Sequence, residues 1–219
     1  MPWMFLIFSP ALTLLAFSSI FGTFVLPRSM TIAPLTRGVV LGLVVRIAMS
    51  FIAPLLELRY VPASRIYIHV LVIDIVIPVV TLFLLGVLFG KGWWKNTDRE
   101  TLSETCSFLV GGFTVFAIAD VVTLGTLPTA YPVFMVPLAR LALILWLPLC
   151  FQLIRSTHGW LRLIAVVGWL GIFPLIAFPP LLYFLRHNGW AFLLAAVFVA
   201  LGVGAYFLSN RFVFRLRTY

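Results

Sequence analysis

The chain predicts an all-α polytopic integral membrane protein, a single domain over residues 1–219 built as a bundle of about seven transmembrane helices. Three observations carry this. Of 219 residues, 63% are hydrophobic and only 10% charged, and the mean hydropathy is +1.17. So few charges cannot shield that much apolar surface from water, so lipid is the solvent for most of the chain. Apolar runs of about 20 residues, enough to cross a bilayer at about 1.5 Å per residue, follow one another with short polar breaks between them.

The spans fall at 4–26, 33–56, 66–89, 105–127, 131–153, 161–185 and 189–209. The first has no basic residue ahead of it and no small-residue cleavage site after it, so it reads as a retained helix and not a signal peptide. Pro27-Arg28 separates it from the second, and Arg59 to Arg65 separates the second from the third. The stretch 90–104, carrying Lys91, Lys95, Asp98, Arg99 and Glu100, reads as the longest loop. Pro128 to Pro132 forms a short uncharged turn between the fourth and fifth spans, which makes them antiparallel neighbours. Arg155 to Arg162 breaks the fifth from the sixth, and only Arg186-His187-Asn188-Gly189 splits the last two.

Loop charge sets the orientation. Arg28, Arg37, Lys91, Lys95, Arg99, Arg155, Arg162, Arg211, Arg215 and Arg217 fall on one side, against Arg59, Arg65 and Arg186 on the other. The amino terminus is therefore expected outside and the carboxyl terminus in the cytoplasm, as a multi-pass protein of the cytoplasmic (inner) membrane. Trp93, Trp94 and Trp160 then lie at the inner interface, and Tyr60, Tyr67, Tyr131, Tyr183 and Trp190 at the outer one. A net charge of +9 points to the anionic lipids of the inner leaflet and not to nucleic acid, because no soluble module carries the basic face that nucleic acid needs.

Four charges interrupt apolar spans: Arg46, Asp74, Asp120 and Arg140. A charge inside the bilayer costs several kcal/mol, so it needs a partner, a cavity or a task. Counted along their helices, all four lie roughly 10–15 Å below the outer boundary, a shared level that permits Asp–Arg pairing. Gly38, Gly42, Arg46 and Ser50 recur every four residues, so close helix packing is expected to turn Arg46 into the bundle. Tyr67, Asp74 and Thr81 recur every seven residues as a polar stripe, and Pro78 removes the donor for the Asp74 carbonyl. The candidate ligand-binding set is therefore Arg46, Asp74, Asp120, Arg140, Tyr67 and Thr81, with Asp74 as the function-bearing member. Pro132, Pro137 and Pro148 kink the helix that holds Arg140. Glu57, Arg59, Arg65 and His69 read as solvated loop charge at the outer end of spans two and three.

Several chemistries are excluded. No span contains lysine, so a retinal Schiff base is impossible. His69, His158 and His187 lack zinc spacing, and no phosphate loop is present, so no cofactor or metal is expected and any driving ATPase would be a separate subunit. Asp74 and Asp120 lack the G-x-G-D motif of intramembrane aspartyl proteases, and a carboxylate facing an arginine is not half of a proton-sharing dyad. Cys106 and Cys150 are expected as unpaired inert thiols.

The tail Tyr206-Phe207-Leu208-Ser209-Asn210-Arg211-Phe212-Val213-Phe214-Arg215 resembles the last-helix ending of GtrA-type membrane proteins, proposed flippases of lipid-linked sugars, and Phe108-Leu109-Val110-Gly111-Gly112 resembles their first helix. Those proteins are shorter, with fewer spans and a different spacing between the segments, so no residue role is carried over. Aromatics and arginines anchoring a helix end at an anionic leaflet give the same pattern. The leading expectation is a transporter, permease or substrate-binding membrane subunit for a polar or zwitterionic small molecule or a lipid headgroup. The alternatives are a non-catalytic subunit or scaffold of a membrane complex and, third, an intramembrane enzyme.

Overall fold

The computed structural model describes residues 28–52, 67–68, 70–89, 98–123 and 135–212, in which every regular element is helical. Among the described residues six α-helices follow one another: α1 (Arg28–Ile52), α2 (Ile77–Phe89), α3 (Asp98–Thr123), α4 (Val136–Ser156), α5 (Trp160–Phe184) and α6 (Asn188–Phe212). A π-helical segment, Val70–Val76, leads directly into α2. The expected span at 4–26 and the polar group Glu57, Arg59, Arg65 and His69 lie outside the described residues. Among the described residues four helices are long and apolar enough to cross a membrane: Ile32–Phe51, Val136–Arg155, Trp160–Phe184 and Asn188–Ala205. They mark the chain as a membrane protein. Between them lies a shorter apolar helix over Val70–Gly86. Helix α3 runs Asp98–Thr123, so it includes part of the 90–104 stretch expected to be loop.

Helix α4 is the centre: 72% of its apolar window is buried, against 17% for α5 and α6. Its inward residues Ala139, Ala142, Leu143, Ile144 and Leu147 pack with Phe108, Leu109, Phe113 and Phe116 of α3, Val79 and Leu82 of α2, and Phe173, Ile176 and Ala177 of α5. The exposed faces of α5 and α6, such as Leu161, Leu163, Val167, Leu193 and Leu201, are the surface that lipid covers. Pro137 opens α4 where a missing N–H costs nothing. Pro148 sits deep inside the same helix and cannot donate to the Ile144 carbonyl; the Cys106 thiol of α3 donates to that oxygen instead, at 3.6 Å. Both cysteines are free thiols.

Helices α1 and α3 meet backbone to backbone. A Cβ on Gly38 would collide with the Phe108 carbonyl, one on Gly111 with the Leu35 carbonyl, and one on Gly42 would stand 2.7 Å from the Gly112 Cα. Residue numbers rise together along this contact, so the two helices run parallel. Helix α6 runs parallel to α4, from Met135 beside Ala191 and Ala195 to Leu145 beside Gly202. The Trp146 indole donates to the Phe198 carbonyl at 3.0 Å, and Gly202, one turn on, leaves room for it.

The narrow break before the last helix is a tight Schellman turn. The His187 N–H donates to the Leu182 carbonyl at 2.9 Å and the Arg186 N–H to the Tyr183 carbonyl at 3.0 Å. Arg186 takes the left-handed position, φ 66°, that glycine usually fills. Three expectations follow, all read as unfolding of the detergent-solubilised protein. Arg186→Gly raises stability by about 0.5–1 kcal/mol, the roughly 1–2 kcal/mol that a side chain in the left-handed region costs less the extra entropy that glycine loses on folding. Gly42→Val lowers it by on the order of 3 kcal/mol, since only backbone stands in its way and backbone cannot yield. Gly168→Ala, inside α5 and meeting nothing within 4 Å, does not lower it and raises it by up to about 1 kcal/mol through helix propensity.

Candidate functional site

Glycine packing fixes the phase of α1 against α3, and that phase decides where Arg46 points. One turn beyond Gly42, its guanidinium comes over α3 and its Nη2 lies 3.2 Å from Asp120 Oδ1. From the other side, Arg140 on α4 places Nη1 2.7 Å from Asp120 Oδ2. One carboxylate is thus shared by two guanidiniums from two different helices. The side chains are 28% exposed for Arg46, 15% for Asp120 and 4% for Arg140, so the cluster is graded from an open edge to a dry interior.

Phenylalanines complete the site. Phe113 and Phe116 lie seven and four residues before Asp120, on the same face of α3. The Arg140 guanidinium carbon sits 5.9 Å from the Phe113 centroid and 5.5 Å from that of Phe116, and the Arg46 carbon lies 5.8 Å from Phe116. Phe116 therefore stands between both cations, its ring face offering each a weak attraction of about 0.5–2 kcal/mol. Their spacing relative to Asp120 is the sequence signal that reveals these two rings; apolar composition alone hides them.

Arg140 is incompletely matched. Its Nη1 approaches the carboxylate as a charge contact without an aligned N–H···O bond, and its Nε, also buried, donates to no acceptor. A guanidinium carries five donors and no acceptor, so a buried one left with idle N–H groups costs about 1–3 kcal/mol or more. Burial at 3% exposure removes water as the easy remedy.

The other expected site residues fare differently. Asp74 lies in the π-helical segment, and its side chain falls outside the described residues. An i→i+5 ladder turns less per residue than an α-helix, so the even spacing of Tyr67, Asp74 and Thr81 does not translate into a straight stripe. Tyr67 donates to the Pro174 carbonyl of α5 at 2.7 Å. Thr81 donates back to the Ile77 carbonyl one turn earlier at 2.6 Å. Of the expected set, the structure joins Arg46, Asp120 and Arg140, while Tyr67 ties α5 to the start of the π segment and Thr81 is occupied within its own helix.

Removing the shared carboxylate strands two cations. Asp120→Asn is expected to lower stability by about 3–5 kcal/mol, the cost of leaving buried charge uncompensated. Adding Arg140→Leu restores part of the loss, and adding Arg46→Leu restores more. Strictly additive losses in denaturant unfolding of the double and triple variants would show that the three charges do not act as one unit.

No family model matches this chain, and no curated protein or solved structure matches it, so the functional reading rests on the chemistry of this cluster.

Proposed function

We propose that the chain is a membrane transporter, permease or substrate-binding membrane subunit whose ligand, a polar or zwitterionic small molecule or a lipid headgroup, is held by Arg46, Asp120 and Arg140, with Asp74 as a further binding carboxylate. The observation that carries this reading is a cluster of three charges brought together from three helices inside a membrane protein. Among the described residues two guanidiniums share one carboxylate, and the more buried of them keeps an undonated Nε. Charge inside a membrane protein is costly and is retained with a partner, a cavity or a task. The π-helical winding at Asp74 supports a role there too, because single π turns recur at functional positions.

In this reading the protein crosses the cytoplasmic membrane seven times, amino terminus outside, with the cluster in the outer half. Parallel packing of α1 with α3 and of α4 with α6 supports strict alternation, since each pair is separated by one returning helix. Cysteines engineered near 95, 157 and 217 are then expected to label only from the cytoplasm, and those near 63, 129 and 187 only from outside. External labelling at 95 reverses the map.

A second reading is a non-catalytic subunit or scaffold, favoured by the rigid glycine contact that sets α1 against α3. Paired substitutions separate the two. Asp74→Asn is expected to leave thermal stability within about 0.5 kcal/mol of the parent while abolishing ligand binding or uptake. Loss of stability with no effect on uptake assigns the charges to structure.

A further inference from the structure

Helix α5 is weakest in its carboxyl-terminal half. It holds Pro174, Pro179 and Pro180, and each takes away one main-chain donor. The carbonyls of Leu170, Leu175 and Ile176 therefore lose their helical partners. Pro179 and Pro180 act together. Of the four main-chain bonds that would cross between Ile176 and Ala177, at most two remain, those accepted by Phe173 and Pro174. The helix is better held on either side of this stretch. Trp169 stands edge-on to Phe173 with centroids 5.4 Å apart, and it lies 6.0 Å from Phe83 of α2, which meets Phe151 of α4 at 5.1 Å. Beyond the prolines, Leu182 and Tyr183 pack around Met135, Ala191 and Ala195. Bending of α5 is thus concentrated between these two seats, where Leu175 and Phe178 face outward, 56% and 45% exposed.

The Tyr67 hydroxyl reaches this stretch from another element. It donates to the Pro174 carbonyl at 2.7 Å, linking positions 107 residues apart. Tyr67 lies three residues before the π segment, which packs against α5. Two helices with interrupted hydrogen-bond ladders therefore meet at this bond. We infer that α5 flexes at Pro174–Pro180 and that the Tyr67 hydroxyl is the clamp holding the flex point against the π segment. A bend at Pro174 turns its carbonyl, and a hydroxyl held on another helix cannot follow without breaking the bond. Release of the clamp loosens the contact between α5 and the segment that contains Asp74. The inference goes beyond the proposed binding role and holds whether or not Asp74 takes a ligand.

The test is hydrogen–deuterium exchange, read by mass spectrometry on the full-length protein in mild nonionic detergent. Tyr67→Phe keeps the ring and removes only the hydroxyl. It is expected to speed exchange of the amides at 175–178 and 181–184 about fivefold, the effect of one hydrogen bond, while 191–205 of α6 stays unchanged. Pro179→Ala with Pro180→Ala returns two donors to the ladder and is expected to slow the same amides at least about fivefold. In that alanine background Tyr67→Phe changes exchange less than about twofold, because a mended helix no longer needs the clamp. If Tyr67→Phe leaves 175–184 unchanged in the parent, the hydroxyl is no clamp and the inference is overturned. If it speeds 175–184 and 191–205 equally, Tyr67 supports the whole bundle and the inference is likewise overturned. Exchange that the alanine pair does not slow shows that the prolines are not the flex point, which also overturns it.

Discussion

The closeness of α1 and α3 is the constraint on which the rest turns. Between helices in lipid there is no hydrophobic force to gather them, so association rests on packing and polar contacts. Gly38, Gly42 and Gly111 remove the side chains that would hold the backbones apart. The result is a fixed axial register and a fixed rotation. Arg46 reaches Asp120 because both are fixed; a wider or rotated contact would carry the guanidinium out of the 3.2 Å range. Helix α4, the most buried of the bundle, then brings Arg140 to the opposite oxygen.

Among the described residues that arrangement sets two cations on one carboxylate. Two ring faces attract the cations as well, by about 0.5–2 kcal/mol each. Exposure falls from Arg46 to Arg140, and the proposed binding role rests on that gradient together with the unmet donors of Arg140.

The helices were legible because a bilayer demands long apolar runs, and lengths and breaks can be counted. The common level of Arg46, Asp120 and Arg140 was legible for the same reason: axial position follows from residue number at about 1.5 Å each. Azimuth is harder. That Asp120 serves two arginines depends on how three helices are rotated; the Gly38–Gly42 spacing pointed to the side of Arg46, and the short 128–132 turn, which makes the helices of Asp120 and Arg140 neighbours, pointed to that pair. The stripe of Tyr67, Asp74 and Thr81 was read with α-helical angles, which the π segment does not keep. Nor does composition announce that Arg186 would occupy a left-handed turn position; the hydrogen bonds of His187 and Arg186 to the preceding helix hold it there.

The contact between Cys106 and the Ile144 carbonyl has a consequence for how this sequence can change. Pro148 creates an oxygen without its helical donor, and a thiol 42 positions earlier in the chain supplies a weak one. The two residues form a single unit of inheritance. With proline in place, exchanging the cysteine for a hydrocarbon leaves a carbonyl stranded in an apolar core. With proline replaced by any other residue, the helix mends itself and the cysteine position becomes free to drift. The order of the two substitutions therefore matters: the path through loss of the proline is open, and the path through loss of the thiol runs uphill.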